Sequence, residues 1–243
     1  MMAMSMIGFA LWFQVRGEQK FGAPPYFADA PERYHTQEDE YANWVRPTGP
    51  LKVGLQVGHW KTQEMPDELA RIRDSGGGTS NGVVAEWEVA LKIATLTKAR
   101  LEKEGVHVDL LPATVPPEYW ADAFVSIHAD GSLNPTTSGY KVAAPRRDMS
   151  GMSDELADIL EETYGEVTNL PLDPNITRNM TGYYAFSARR FRHAIHPMTA
   201  AAIVETGFLT NPIEAQMLIH NPELPARALA EGLMRYLRTV EVG

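Results

Sequence analysis

Residues Ala202–Glu214 read AIVETGFLTNPIE, and this stretch decides how the rest of the chain is read. An apolar run, Ile203-Val204, ends in one carboxylate, Glu205, and a Gly turn and a Pro-containing loop follow. A short apolar run bounded by turn residues is the pattern of a buried strand. An acid at the end of such a strand has no structural use, because desolvating an unpartnered carboxylate is costly. A group placed this way faces a ligand, a metal, or a water that it must deprotonate.

Two segments upstream end in the same manner. Leu51–Val57 alternates apolar with polar or small residues, reads as a first strand, and runs into Gly58-His59. Ala123–His128 (AFVSIH) is a strongly apolar strand with a histidine at its C-terminal end. Helical patterns lie between and after them. Glu64–Arg73 predicts a short helix and Asp74–Gly82 a flexible loop. A long helix is expected over Val84–Glu104, with Val89, Ile93, Leu96 and Leu101 on one face and Gly105 as its stop. Val106–Leu110 follows as a second strand, and Ser153–Tyr164 and Pro225–Leu237 read as amphipathic helices. Strands alternating with helices predict a single α/β domain with a twisted, mostly parallel central sheet flanked by helices.

At 243 residues the chain can bury one substantial core. A net charge of −9 argues against a nucleic-acid partner, which would need a basic face for phosphates. The absence of cysteine removes disulfides, thiolate metal sites and a thiol nucleophile, so any metal must be held by His and carboxylates. Met1–Val15 is nearly all apolar but shorter than the roughly 20 residues that span a bilayer, and no Lys or Arg precedes it. We read it as the end of an export signal or membrane anchor, the alternative being an amphipathic or buried N-terminal helix. Arg16–Pro50 is polar, carries five prolines and reads as a linker. The expected organisation is therefore an N-terminal segment and linker over 1–50 and a catalytic domain over 51–243.

His59 and His128 sit at predicted strand ends, where open α/β sheets place their ligand crevice. Two His and one carboxylate make a zinc site with a fourth position open, at which water is activated near neutral pH. The third ligand should be an acid near the start of a helix facing the crevice. Glu86 and Glu88 both qualify by position, but an i, i+2 pair points to different faces, so only one can join the site. Glu205 would then be the general base.

From about Leu51 to Leu237 the chain resembles the zinc-dependent N-acetylmuramoyl-L-alanine amidases of the Amidase_3 type. The resemblance rests on Gly58-His59, on Ser126-Ile127-His128-Ala129, and on Glu205-Thr206-Gly207-Phe208-Leu209-Thr210-Asn211. It rests also on a helix opened by Glu86, with Leu91, Ile93 and Ala94 five, seven and eight residues later. That register selects Glu86 over Glu88. The resemblance implies zinc held by His59, Glu86 and His128, Glu205 as the catalytic base, and peptidoglycan as the substrate. The bond cut would be the amide between N-acetylmuramic acid and L-alanine, and the place of work would be outside the cytoplasmic membrane. The chain departs from the family pattern at Trp60-Lys61, at Leu110–Thr114, at the short Val115–Asp122 connection, and at Asp130.

The alternatives are another zinc amidohydrolase or peptidase with the same ligands, and a non-catalytic wall-binding module. Glu205 speaks against the latter, since a binder needs no general base. His193 and His196, at i, i+3, are read as surface or substrate-loop residues. Arg189, Arg190 and Arg192 are read first as a solvated loop, with binding of stem-peptide carboxylates as the functional alternative. Trp60 and Tyr183-Tyr184 are read as core aromatics, with a groove lining as the alternative.

Overall fold

A computed structural model of the chain describes residues 41–74 and 76–242. The apolar segment Met1–Val15 and the linker up to Glu40 lie outside the described residues. Five strands, β1 (Lys52–Val57), β2 (His107–Leu111), β3 (Ala123–Asp130), β4 (Lys141–Ala143) and β5 (Ala200–Phe208), form one sheet in the order β2-β1-β3-β5-β4. All neighbours pair in parallel except β4, which runs antiparallel to β5 at one edge. The helices are α1 (Ala70–Asp74), α2 (Glu86–Lys103), α3 (Ser153–Thr168), α4 (Arg178–Thr181), α5 (Pro212–His220) and α6 (Glu223–Val242).

The period of two along each strand divides the core into two different faces. Val53, Leu55 and Val57 of β1, Val125 and Ile127 of β3, and Ala202 and Val204 of β5 point to one face. There they meet Val89 and Ile93 of α2, Leu156 and Leu160 of α3, and Leu229 and Leu233 of α6. All three long helices pack on this side. The opposite face carries Phe124, Ala201 and Ile203, and is closed mainly by irregular chain that brings in Tyr119, Met180, Tyr184 and Ile195.

Three sequence expectations differ in detail. Glu64–Arg73 is not one helix: 3-10 turns at Thr62–Glu64 and Asp67–Leu69 precede α1. Pro66 stands in extended conformation at φ −67, ψ 164, and its missing N–H cannot continue a helix. Strand β5 continues past Glu205 to Phe208. Pro212 opens α5 instead of breaking a loop, because Asn211 Oδ1 caps the helix by accepting from the Ile213 and Glu214 amides.

The stretch before β1 is tied to the sheet. The Arg46 guanidinium donates to both carboxylate oxygens of Asp122 at 2.5 and 2.8 Å, and the Asp122 carboxylate also accepts the Lys52 amide at 2.8 Å. Residues N-terminal to Leu51 thus hold the start of β1.

Candidate metal centre

The parallel register sets the site. Gln56 pairs with Ser126, and one step further the Gly58 amide donates to the Ile127 carbonyl at 2.9 Å, so His59 emerges from β1 beside His128. Across the next ladder His128 pairs with Glu205, and Glu205 pairs on its other side with Lys141 of β4. One row across three strands therefore reads His128, Glu205, Lys141, on the face that the long helices leave free. Glu86, the first residue of α2, completes the group. Its Oε1 lies 2.8 Å from His128 Nδ1 and 3.6 Å from His59 Nε2.

His59, Glu86 and His128 each offer one donor atom, and these atoms all lie within 4.8 Å of one another. Glu86 and His128 are buried and His59 is partly accessible. Among the described residues this is the one cluster of three or more His, Asp or Glu side chains that could hold a metal ion. Two imidazoles and one carboxylate with no thiolate suit zinc in an open catalytic site.

Backbone features hold the ligands in place. His59 sits at φ 60, in the left-handed region that a non-glycine residue adopts only when its surroundings impose it. Gly58 admits the His128 ring: a Cβ there would lie 2.4 Å from His128 Cε1. Gly78, at φ +78, closes over the site from the loop before α2, and a Cβ there would meet Glu86 Oε2 at 2.4 Å and the His59 ring at 2.6 Å. The Thr79 amide donates to Glu86 Oε2 at 2.7 Å. Glu88 points elsewhere, and its Oε2 accepts the Ala85 amide at 2.9 Å as a helix cap.

The electrostatics fit a cation site. Burial opposes ionisation of Glu86, but the hydrogen bond from His128 and the charges of both histidines outweigh it and hold the carboxyl below its ordinary value. His59 is lowered, chiefly by burial. Burial would lower His128 as well, yet the Glu86 hydrogen bond and the charges of Glu205, Glu86 and Asp130 raise it. Glu205 is pushed up to about 8, first by burial and then by Glu86 and Asp130, against the pull of His128 and Lys141.

Two carboxylates of the decisive stretch behave in opposite ways. Glu214 is fully satisfied: it accepts from Ser138 Oγ at 2.5 Å and from the amides of Gly139 at 2.7 Å and Phe208 at 2.5 Å. It fastens the turn after β5 and is structural. Glu205 Oε2 is sealed from solvent and has no hydrogen-bond partner.

The sequence profile of the N-acetylmuramoyl-L-alanine amidase family, Amidase_3, matches residues 53–235. The chain belongs to this family. Among curated relatives, the N-acetylmuramoyl-L-alanine amidase AmiA of Salmonella typhimurium is 26% identical over 227 residues, covering 72% of this chain and 78% of that protein. AmiA of Escherichia coli is 26% identical over 216 residues, covering 68% and 75%. Among solved structures, the amidase AmiC2 of Nostoc punctiforme superposes with a TM-score of 0.54 at 24% identity, covering 79% of this chain and 99% of that one. Ami1 from Mycobacterium smegmatis gives a TM-score of 0.57 at 20% identity, covering 78% and 97%. These likenesses show the shared fold.

The other sequence candidates of this amidase-family chain fall into place around the centre. Asp130 forms an ion pair with Lys141, which also bonds Asp173 at 3.1 Å. Tyr183 packs edge-on against the His128 ring at 5.6 Å, so it lines the site, whereas Tyr184 is buried core. His193 Nδ1 lies 2.6 Å from Glu68 Oε1, and the His196 ring packs against Tyr41 and Trp44, so neither joins a metal cluster. Lys141 and Gly78 escaped sequence reasoning. The signal for Lys141 was a single cation in the apolar run Tyr140–Ala144, and for Gly78 the triple glycine Gly76–Gly78.

Proposed function

We propose that the chain hydrolyses the amide between the lactyl group of N-acetylmuramic acid and L-alanine in peptidoglycan. His59, Glu86 and His128 would hold zinc, and Glu205 would be the general base. The observation that carries this reading is the solvent-sealed, unpartnered Oε2 of Glu205 in register beside the His128 ligand. A buried carboxylate oxygen kept without a partner beside the ligand is suited to a proton that arrives with the substrates.

Zinc in this site would polarise the scissile carbonyl and lower the pKa of the attacking water. The chain's own residues do the rest. Glu205, neighboured by the Lys141 ammonium, accepts the water's proton and returns it to the leaving amine of L-alanine. Glu86 is held ionised by the two histidines, and Gly58 and Gly78 let the ligand side chains close together. Tyr183, its hydroxyl engaged by Ser126 and Gln56, fixes one side of the His128 ring.

We also propose that the protein works outside the cytoplasmic membrane, where its polymer lies, with residues 1–15 as signal or anchor and the catalytic domain over 51–243. No helix among the described residues is long and apolar enough to cross a membrane. The test is digestion of purified walls by zinc-loaded protein, with the products read by mass spectrometry. Lactyl-terminated glycan and peptides with a free L-alanine amine are expected. Cleavage at another amide, or none, overturns the reading in favour of a different amidohydrolase or a wall-binding module.

A further inference from the structure

Lys141 and Glu205 stand directly opposite each other on the antiparallel β4–β5 ladder, and yet they are not an ion pair. Residues so placed have their Cβ atoms about 5 Å apart on one face of the sheet, and opposite charges there attract. Instead, Glu205 Oε2 has no hydrogen-bond partner, and among the described residues the Lys141 ammonium pairs with Asp130 and Asp173 and not with Glu205. Its Nζ also lies over the Phe208 ring, 4.9 Å from the centroid. Since Lys141 is buried, its nearest cross-strand acid is the expected partner, and something must hold the ammonium off it.

The two aspartates are anchored to different degrees. Asp130 lies past the register irregularity that follows His128 in β3, its side chain is 28% exposed, and its Oδ1 accepts the Gly131 amide at 2.7 Å. Asp173 comes from the segment after α3, its side chain is 8% exposed, and it is fixed by its surroundings. Its amide donates to the Tyr140 carbonyl at 2.9 Å, and the Tyr140 amide donates to the Pro171 carbonyl at 3.1 Å, so the segment is laced to the chain that leads into β4. Asp173 Oδ1 accepts the Asn175 amide at 3.0 Å and its Nδ2 at 2.6 Å, which leaves Oδ2 for Lys141 at 3.1 Å. Gly139, at φ +123, permits the close approach: a Cβ there would lie 2.7 Å from the Pro171 carbonyl oxygen and 3.1 Å from Asp173 Cβ. Among the described residues Lys141 is the one cation with which Asp173 pairs.

We propose that Asp173 is a positioning residue for the general base: together with Asp130 it holds the Lys141 ammonium away from Glu205, and so keeps a carboxylate oxygen free for the proton of the attacking water. The proposal rests on the amidase reading and adds to it a residue that acts through Lys141. A carboxylate that already accepts a charged donor is a weaker base, because the donor stabilises its ionised form. Two aspartates against one lysine outbid the single carboxylate across the ladder. With Asp173 neutralised, the hold falls to Asp130 alone, and a buried ammonium short of one partner has Glu205 as the carboxylate directly opposite.

The test uses the full chain, zinc-loaded, with a soluble N-acetylmuramoyl-L-alanyl peptide as substrate. Asp173→Asn should lower kcat about 30-fold or more, with KM within about twofold and zinc content unchanged. Asp173→Asn/Lys141→Gln keeps the net charge of the wild-type group but has no cation to swing onto the base, and should return kcat to within about fivefold of wild type. A residue that served the fold alone would leave the double variant no faster than the single one. A crystal structure of zinc-loaded Asp173→Asn should show Lys141 Nζ within about 3.5 Å of a Glu205 oxygen. An unchanged kcat in the single variant, or a double variant as slow as the single, overturns the proposal while leaving amide hydrolysis intact. Should Asp173→Asn fail to fold, the double variant decides alone, and a loss beyond about fivefold there refutes the proposal. If wild type cleaves no N-acetylmuramoyl peptide, the amidase reading fails and the crystal structure decides separately. Lys141 must then lie on Glu205 in Asp173→Asn and stand off it in wild type, and an unmoved ammonium overturns the proposal.

Discussion

Replacing Glu205 with Gln keeps size and polarity but removes both the base and a buried acid, so three readouts move in different directions. Folding raises the Glu205 carboxyl from 4.5 to about 8, first through burial. A raised folded value means that the native state favours the protonated acid. The stability it contributes is complete below pH 4.5 and is lost as pH rises through 8. At ~1.4 kcal/mol per pH unit the gap sets a ceiling of about 4–5 kcal/mol, which the residue's accessible edge reduces to about 2–4 kcal/mol. Gln has no proton to lose. The metal-free Glu205→Gln protein should therefore gain about 2–4 kcal/mol over metal-free wild type between pH 4.5 and 8.5, measured by urea unfolding in chelator across that range. Its zinc content after loading should stay near the wild-type level, and turnover should fall by about 10²–10⁴. Parallel stability curves for the two proteins would refute the buried, unpaired carboxylate. Loss of zinc in the Gln variant would make Glu205 a ligand and move the base elsewhere.

The remaining predictions follow from the same geometry. Glu86→Ala should weaken zinc binding by more than about 100-fold, while Glu88→Ala keeps the metal and loses about 0.5–1 kcal/mol of helix capping, as metal titration and thermal unfolding would show. The opposite pattern would move the ligand by two residues. Burial lowers His128, but the Glu86 hydrogen bond and nearby carboxylates raise it, so the metal-free protein holds this proton above the usual histidine range and must release it to bind zinc. Calorimetry in buffers of different ionisation enthalpy should show net proton release on zinc binding at pH 7, with affinity falling as the medium is acidified; no release would contradict the arrangement. A chain starting at Tyr41 should fold like the full protein, whereas one starting at Leu51 loses Arg46 and leaves the Asp122 carboxylate, 2% exposed, without its cation. Because the Arg46 side chain is itself 33% exposed, the expected loss is about 1–3 kcal/mol, and equal melting temperatures for the two truncations would refute it.

The sequence made much of the fold legible, together with the His59, Glu86 and His128 cluster, because both are written in local patterns. The apolar stretches of β1, β3 and β5 give way to His59, His128 and Glu205, although β5 itself runs on to Phe208, and polar residues near the C-terminal ends of parallel strands are already at the crevice. Glu86 was singled out over Glu88 by the family resemblance, through the register of Leu91, Ile93 and Ala94. What escaped depends on contacts distant in sequence. β4 is three residues long with a lysine at its head, and only pairing with β5 makes it a strand. Lys141 acquires meaning when Asp130 and Asp173 close around it. Pro66 stands inside the expected Glu64–Arg73 helix and breaks it into 3-10 turns and a short helix. Pro212 was misread as a loop breaker because its role depends on the Asn211 cap before it.

The division of labour between the two sheet faces explains why so divergent a chain can keep its site. The odd-numbered residues of β1 and β3 and the even-numbered residues of β5 pack under α2, α3 and α6 and carry the stability. The alternate residues form the other face, apolar at one end with Phe124, Ala201 and Ile203, and polar at the other with Gln56, Ser126, His128 and Glu205. Because the side-chain period is two, a slip of one residue between β3 and β5 would set Val204 or Thr206 beside His128 and send Glu205 out of the row. The helix face forbids that slip, since it would also turn Ala202 and Val204 away from their core. The register irregularity between His128 and Asp130 falls just beyond the His128–Glu205 pair, so the ladder stays regular up to the row that carries the chemistry and changes only after it. The core face thus fixes which acid meets which histidine. The departures at Leu110–Thr114 and Val115–Asp122 fall instead in the connections that close the opposite face, where Leu111, Ala113, Val115 and Tyr119 pack, and leave that register untouched.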